Sequence, residues 1–194
     1  MRILLVGAPG SGKGTQAELL SSALGLEHIS SGDLLRGHVA RETAIGRSVQ
    51  EFVRRGDLVP DSIVMDMLRK PVVEAADSGG YILDGFPRTV QQAQAAYDTA
   101  RTLGVQVQVA VHLDVPEEEL VRRLLARGRG ADDTEDVIRH RQRVYQEQTT
   151  PMLGYYSDRE ELITVDGTRS PEQVHATILA QLEKVRPRLE GTEA

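Results

Sequence analysis

A layered α/β domain, five parallel strands carrying helices on both faces, is the fold this sequence predicts, and three observations predict it. The run at residues 3–6 is apolar at every position and stops at Gly7, which suits a strand buried on both faces. Four more short apolar runs follow, at residues 28–30, 81–83, 107–115 and 162–165, separated by stretches of helical period. Strands that alternate with helices in this way pair in parallel through right-handed crossovers. The 194 residues fit one such domain, and 40% hydrophobic residues can fill its interior.

Taken in order, the first strand leads through a glycine-rich turn into a helix. Ala17, Leu19, Leu20, Ala23 and Leu24 recur at helical spacing there, and Gly25 is placed to end it as a C-terminal cap. Residues 32–59 depart from the alternation. They read as two short helical patterns broken at Gly46 and Gly56, with no strand between them, so they should project from the sheet as a small helical lobe. A second departure is the short basic break at residues 127–131, between two helices. Ser170, followed by Pro171 and Glu172, starts the last helix, and residues 187–194 are expected to fray. No internal repeat or low-complexity tract interrupts the chain.

Composition excludes several classes of function. With no cysteine there is no disulfide framework, thiolate metal site or cysteine nucleophile, which fits a reducing compartment. A net charge of −6 argues against capture of nucleic acid by an overall positive surface. The apolar run after Met1 and Arg2 is too short for a signal-peptide core or a membrane span. A soluble, cytoplasmic protein is the expectation. The five histidines, at 28, 38, 112, 140 and 175, lack the spacing of a metal site.

The strongest signal is GAPGSGKGT at residues 7–15, a G-x-x-x-x-G-K loop between a strand and a helix. Glycines in such a loop let successive N–H groups turn inward to phosphate oxygens above a helix N-terminus. Gly10, Ser11, Gly12, Lys13, Gly14 and Thr15 are therefore candidate ATP contacts, with Lys13 reaching the β- and γ-phosphates. Lysine is scarce, at three residues against twenty arginines, and one of the three stands in this loop. Gly14 occupies the position where the general loop has a Ser or Thr for Mg²⁺, so the metal must be held differently. Asp84 closes an apolar strand, where open α/β sheets expose ligand-facing residues at the carboxyl edge. Asp84 and Gly85 could instead form a hairpin turn, although Phe86 and Pro87 break the strand alternation at once.

The loop extended to GAPGSGKGTQ, with SSGDLLR at residues 30–36 and LDGFPRT at residues 83–89, closely resembles adenylate kinase of the bacterial short-lid type. The resemblance covers nearly the whole chain and implies a P-loop kinase fold. The core would be residues 1–29, 60–125 and 134–194, with an NMP-binding lobe at 30–59 and a short lid at 126–133. It further implies reversible transfer of the ATP γ-phosphoryl to AMP, giving two ADP with Mg²⁺. The lid lacks the long insertion of the other bacterial type, so no structural zinc is expected. ATP, AMP and ADP are the implied partners, with no nucleic acid or membrane, and a monomer is the family expectation.

The resemblance also supplies roles. Arg36 and Arg88 would hold the AMP phosphate, and Asp84 would hold Mg²⁺ through its water. The AMP base would lie near Ser31, the backbone of Asp57, Leu58 and Val59, and Gln92, beside Gly85, Phe86 and Pro87. UMP and CMP kinases usually carry Ala and Asn at the positions of Ser31 and Gln92, so an adenine-directed enzyme is implied. Residues 122–143 hold seven arginines. Among these Arg127 would stack on the donor adenine, while Arg129 and Arg141 would bridge the transferring phosphoryl. Arg122, Arg123, Arg139 and Arg143 read as solvated helix positions paired with nearby acids. Gly130 is an extra residue where short-lid relatives have Arg-Ala-Asp-Asp. Arg169 would lie along the ATP adenine, mainly by its backbone, although the loop 166–169 also reads as an ordinary connector. Two competing readings are a UMP/CMP kinase and a P-loop switch or ATPase without a second substrate; the paired Arg36 and Arg88 argue against the second.

Overall fold

The computed structural model describes residues 1–128, 134–159 and 161–190, apart from the side chains of residues 189 and 190. Five strands form one parallel sheet: β1 (Arg2–Val6), β2 (Glu27–Ser30), β3 (Tyr81–Asp84), β4 (Val109–Asp114) and β5 (Leu162–Asp166), in the order β2-β3-β1-β4-β5. β1 is central because its side chains are apolar in both directions. Ile3 and Leu5 join one core, with helices α1 (Lys13–Leu24) and α9 (Pro171–Glu190) packed over it, where Ala17, Leu20, Val174, Ile178 and Leu182 are buried. Leu4 and Val6 join the other core, beneath α4 (Asp61–Asp77), α5 (Val90–Thr102) and α8 (Pro151–Ser157). Burying side chains of this size contributes about 1.5–3 kcal/mol each, so the alternation along one strand ties both layers to the sheet.

Gly25 closes α1 in the left-handed conformation, at φ 67°, with its N–H donated to Ser21 O. At the far end Ser170 and Gln173 cap α9 reciprocally: the Gln173 N–H donates to Ser170 Oγ and the Ser170 N–H to Gln173 Oε1, both at 3.3 Å.

Three expectations need correction. The helical segment after β2 divides into α2 (Ser31–Ala40) and α3 (Ala44–Arg55), so the break falls at residues 41–43 and Gly46 lies inside α3. Thr43 caps α3 by accepting the Gly46 N–H at 3.0 Å. A Cβ at residue 46 would run into the His38 carbonyl, so this glycine serves close packing of α3 on α2 rather than chain reversal. The fourth strand covers residues 109–114 and is shorter than its apolar run. Helix α9 continues through Pro187 to Glu190 instead of fraying at 187.

After β4 the chain forms α6 (Glu117–Arg127) and α7 (Glu135–Val144). A single wide π turn, Tyr145–Thr149, then joins α7 to α8. Arg122 and Arg123 pair with Glu119, and Arg139 with Glu135, each at 2.7 Å. Arg122 and Arg139 are exposed as expected, whereas the Arg123 side chain is only 25% exposed and donates to the Thr168 carbonyl at 3.5 Å, so it is not a solvated position. Among the described residues no helix is long and apolar enough to cross a membrane.

Candidate active site

All five strands point their carboxyl ends the same way, and β1 lies where the chain switches from one side of the sheet to the other, between β3 and β4. Open parallel sheets bind ligands at that point. A cleft of about 810 Å³ opens there, lined by the loop after β1, the start of α2, the turn after α3, the segment after β3, and parts of α6, α7 and the loop after β5.

The loop after β1 has the geometry of an anion cradle. Gly10 and Gly12 take φ of 89° and 95°, and a Cβ at Gly10 would come within 2.9 Å of Leu124 Cγ on α6. Gly12 starts α1 with no side-chain cap and no acid in the first turn, so the helix's first N–H groups are left to face the cleft. Lys13 Nζ donates to the carbonyls of Gly7 (2.8 Å) and Ala8 (3.2 Å) and curls over the loop. Removal from water lowers the Lys13 pKa, Asp84 opposes that shift, and Arg88 and Arg127 add to it. Ser11, Gly14 and Thr15 line the same cleft.

Across from the loop, three arginines come together from three segments. Arg88 follows β3, Arg36 lies on α2 and Arg141 on α7, and all three line the cleft. The Arg88 pKa is lowered, first by removal from water and then by Arg141 and Arg36, with Asp84 acting in the opposite sense. Mutual repulsion of this kind is relieved by an anion. Arg88 Nε donates to Gly85 O at 2.6 Å, and Arg36 pairs with Asp33 at 2.6 Å. Asp84 ends β3 and lines the cleft with Gly85, Phe86 and Pro87.

Ser31, Asp57, Leu58, Val59 and Gln92 form one wall. Ser31 Oγ is buried without a hydrogen-bond partner, and so is left to a ligand. Gln92 is buried and doubly held, its Oε1 accepting the Arg88 N–H at 2.7 Å and its Nε2 donating to Asp61 at 2.6 Å. Each end of the amide keeps capacity for one further bond. Asp61, which orients Gln92, carried no signal in the sequence. Arg127 and Arg169 line the opposite end, where Asp166 holds the loop by accepting from the Thr168 N–H (2.9 Å) and pairing with Arg169 Nε (3.2 Å). Arg129 and the rest of residues 129–133 lie outside the described residues.

A family model described as adenylate kinase matches residues 5–161. The chain belongs to the adenylate kinase family. It is 46% identical over 184 residues to a protein named adenylate kinase from Rhodococcus erythropolis, covering 95% of this chain and 100% of that one. The adenylate kinase of Thermus thermophilus is 45% identical, over 93% of this chain and 96% of that protein. Adenylate kinase 1 of a Nostoc species is 42% identical, over 93% and 98%. Adenylate kinases bring two nucleotides together, and the cleft has two cationic walls, Lys13 with the α1 N-terminus on one and Arg36, Arg88 and Arg141 on the other. Among the described residues no three acidic or histidine side chains cluster as metal ligands.

Proposed function

We propose that this chain is an ATP:AMP phosphotransferase that moves the γ-phosphoryl of ATP to a phosphate oxygen of AMP, reversibly, giving two ADP. One observation carries the reading: Arg36, Arg88 and Arg141 converge from three segments on the side of the cleft facing Lys13. A nucleotide switch or simple ATPase needs only the first cation site.

The acceptor oxygen is already anionic near neutral pH, so no side chain has to remove a proton from it. Catalysis is then positioning and charge neutralisation. Lys13 and the α1 N-terminus hold the donor phosphates; Arg36 and Arg88 hold the acceptor phosphate; Arg88, Arg141 and Arg129 neutralise the transferring group. Arg127 and the Arg169 backbone border the donor base. Ser31, Gln92 and the backbone of Asp57, Leu58 and Val59 border the acceptor base, whose N6 and N1 edge suits the donor and acceptor left on Gln92.

Magnesium fits the cleft. Among the described residues no hydrogen bond fills the Asp84 carboxylate, which faces Lys13 and Arg88, and Mg²⁺ ordinarily keeps its waters and takes one or two carboxylates with substrate phosphates. Asp84 would hold the ion through water, and the ion would supply positive charge against the phosphates. Water competes as acceptor, so the short lid that the family resemblance assigns to residues 126–133 would close once AMP is bound, the lid behaviour already established for adenylate kinases. The enzyme works as a cytoplasmic monomer.

The test offers Mg²⁺-ATP with AMP, CMP, UMP, GMP or no acceptor and resolves the diphosphates formed. Two ADP per AMP consumed, with the other acceptors near background, is the expected result. Turnover indifferent to acceptor would leave the chain an ATPase.

A further inference from the structure

Helix α7 touches both halves of the cleft through side chains that do not line it. Gln142 is buried and its Nε2 donates to the Pro9 carbonyl, in the donor loop, at 2.9 Å. Its Oε1 is buried without a partner, so the amide is kept at a site where an apolar side chain would avoid that loss. Two residues earlier, His140 Nε2 lies 2.6 Å from Asp57 Oδ1, in the turn after α3, and the carboxylate requires that this nitrogen carry the hydrogen. Residues two apart on a helix point about 200° apart, so the two contacts leave α7 on opposite sides. Arg141 stands between them, its stem against Gly56, where a Cβ would come within 2.7 Å of Arg141 Cγ.

We propose that α7 is a brace fixing the distance between donor loop and acceptor turn, with Gln142 and His140 as its positioning residues. The inference rests on the assignment of the two sides above. Neither residue reaches a nucleotide. His140 acts through the backbone of Asp57, Leu58 and Val59, and Gln142 through the loop that carries Lys13. Because α7 also presents Arg141, the same element that spaces the two substrates carries a charge for the group passing between them.

Two readouts on the full chain test this: amide hydrogen exchange, which needs no activity, and steady-state kinetics with each nucleotide varied. His140→Ala should speed exchange at residues 56–59 and not at 7–12, and raise KM for AMP about three- to tenfold while KM for ATP stays within about twofold. Gln142→Leu should do the converse, with faster exchange at 7–12 and the larger change in KM for ATP; Gln142→Met replaces it if the leucine variant does not fold. Adding Asp57→Asn to His140→Ala should change KM for AMP no further, and His140→Gln, which keeps an N–H to donate, should restore it. Exchange that rises evenly in both segments, or KM values that move together or not at all, would overturn the brace. If the wild type makes no ADP from AMP, the functional reading falls by itself, and the exchange pattern still decides whether α7 holds the two segments.

Discussion

The donor and acceptor walls of the cleft are built in opposite ways. The donor wall is nine consecutive residues, 7–15, running from the end of β1 into the first turn of α1, and its charge, Lys13, is held by the carbonyls of Gly7 and Ala8 in that same stretch. The acceptor wall is gathered from α2, the turn after α3, the segment after β3 and α7, and is held by bonds that span long stretches of chain, such as Gln92 to Asp61 and His140 to Asp57. Apart from the Gln142 bond to Pro9, the local motif rests on its own backbone geometry, whereas the gathered site depends on every tie between its parts. Substitutions on the donor side should therefore remove function outright, and those on the acceptor side should weaken it by degrees.

The largest expected effect is Lys13→Ala, which takes the charge from a loop with no substitute. It should lower kcat about 10³-fold with little loss of fold, measured as ADP formation beside thermal melting; a loss under tenfold would break the contrast. Arg88→Ala should cost about 10²-fold in kcat/KM for AMP, because Arg36 and Arg141 remain. ATP binding by calorimetry should be spared, and an equal loss of ATP affinity would show that the two walls are one site. Gln92→Leu should raise KM for AMP about tenfold and narrow the preference for AMP over CMP, since it removes both the tie to Arg88 and an amide edge. An unchanged preference would assign acceptor choice elsewhere.

The smallest effect concerns stability and involves both sides. Burial pushes the Tyr145 phenol, beside the donor loop, up to about 12, and burial likewise raises the Tyr81 and Tyr156 phenols in the core beneath the acceptor side. The folded protein holds these protons more tightly than the unfolded chain. Their contribution is thus complete below about pH 10, the ordinary phenol value; it begins to fall above that, that of Tyr145 being lost as pH rises through about 12 and those of the more strongly raised Tyr81 and Tyr156 at higher pH still. Melting temperature followed from pH 9 to 12 with tyrosinate absorbance should fall over that window; a flat profile would contradict the shifts.

What the sequence made legible follows the same division. Strand β1, the glycine loop and the cap at Gly25 depend on neighbours in the chain, and each was readable from a few residues. The parallel sheet was readable because buried strands are apolar at successive positions. Gly46 misled because a glycine required by a close approach of two helices looks the same in sequence as one that ends a helix. The ties of Gln92 to Asp61 and Gln142 to Pro9 had no signal, since polar residues on helices usually face water and only the packed chain brings their partners near. The roles of Arg36 and Gln92 were legible through the family motifs and not through composition or periodicity.

The wide turn Tyr145–Thr149 has a consequence for length variation in this chain. It accommodates one residue more than a regular α turn between α7 and α8. Deleting one residue within it would convert it to an ordinary α turn and leave both flanks in place, whereas a deletion in the regular helix of α8 would turn everything downstream by about 100°. Tyr155 and Tyr156 would then leave the core while Arg141 kept its place. A library of single deletions across residues 135–157 should therefore find its best-tolerated positions at this turn and its sharpest intolerance in the regular helices beside it.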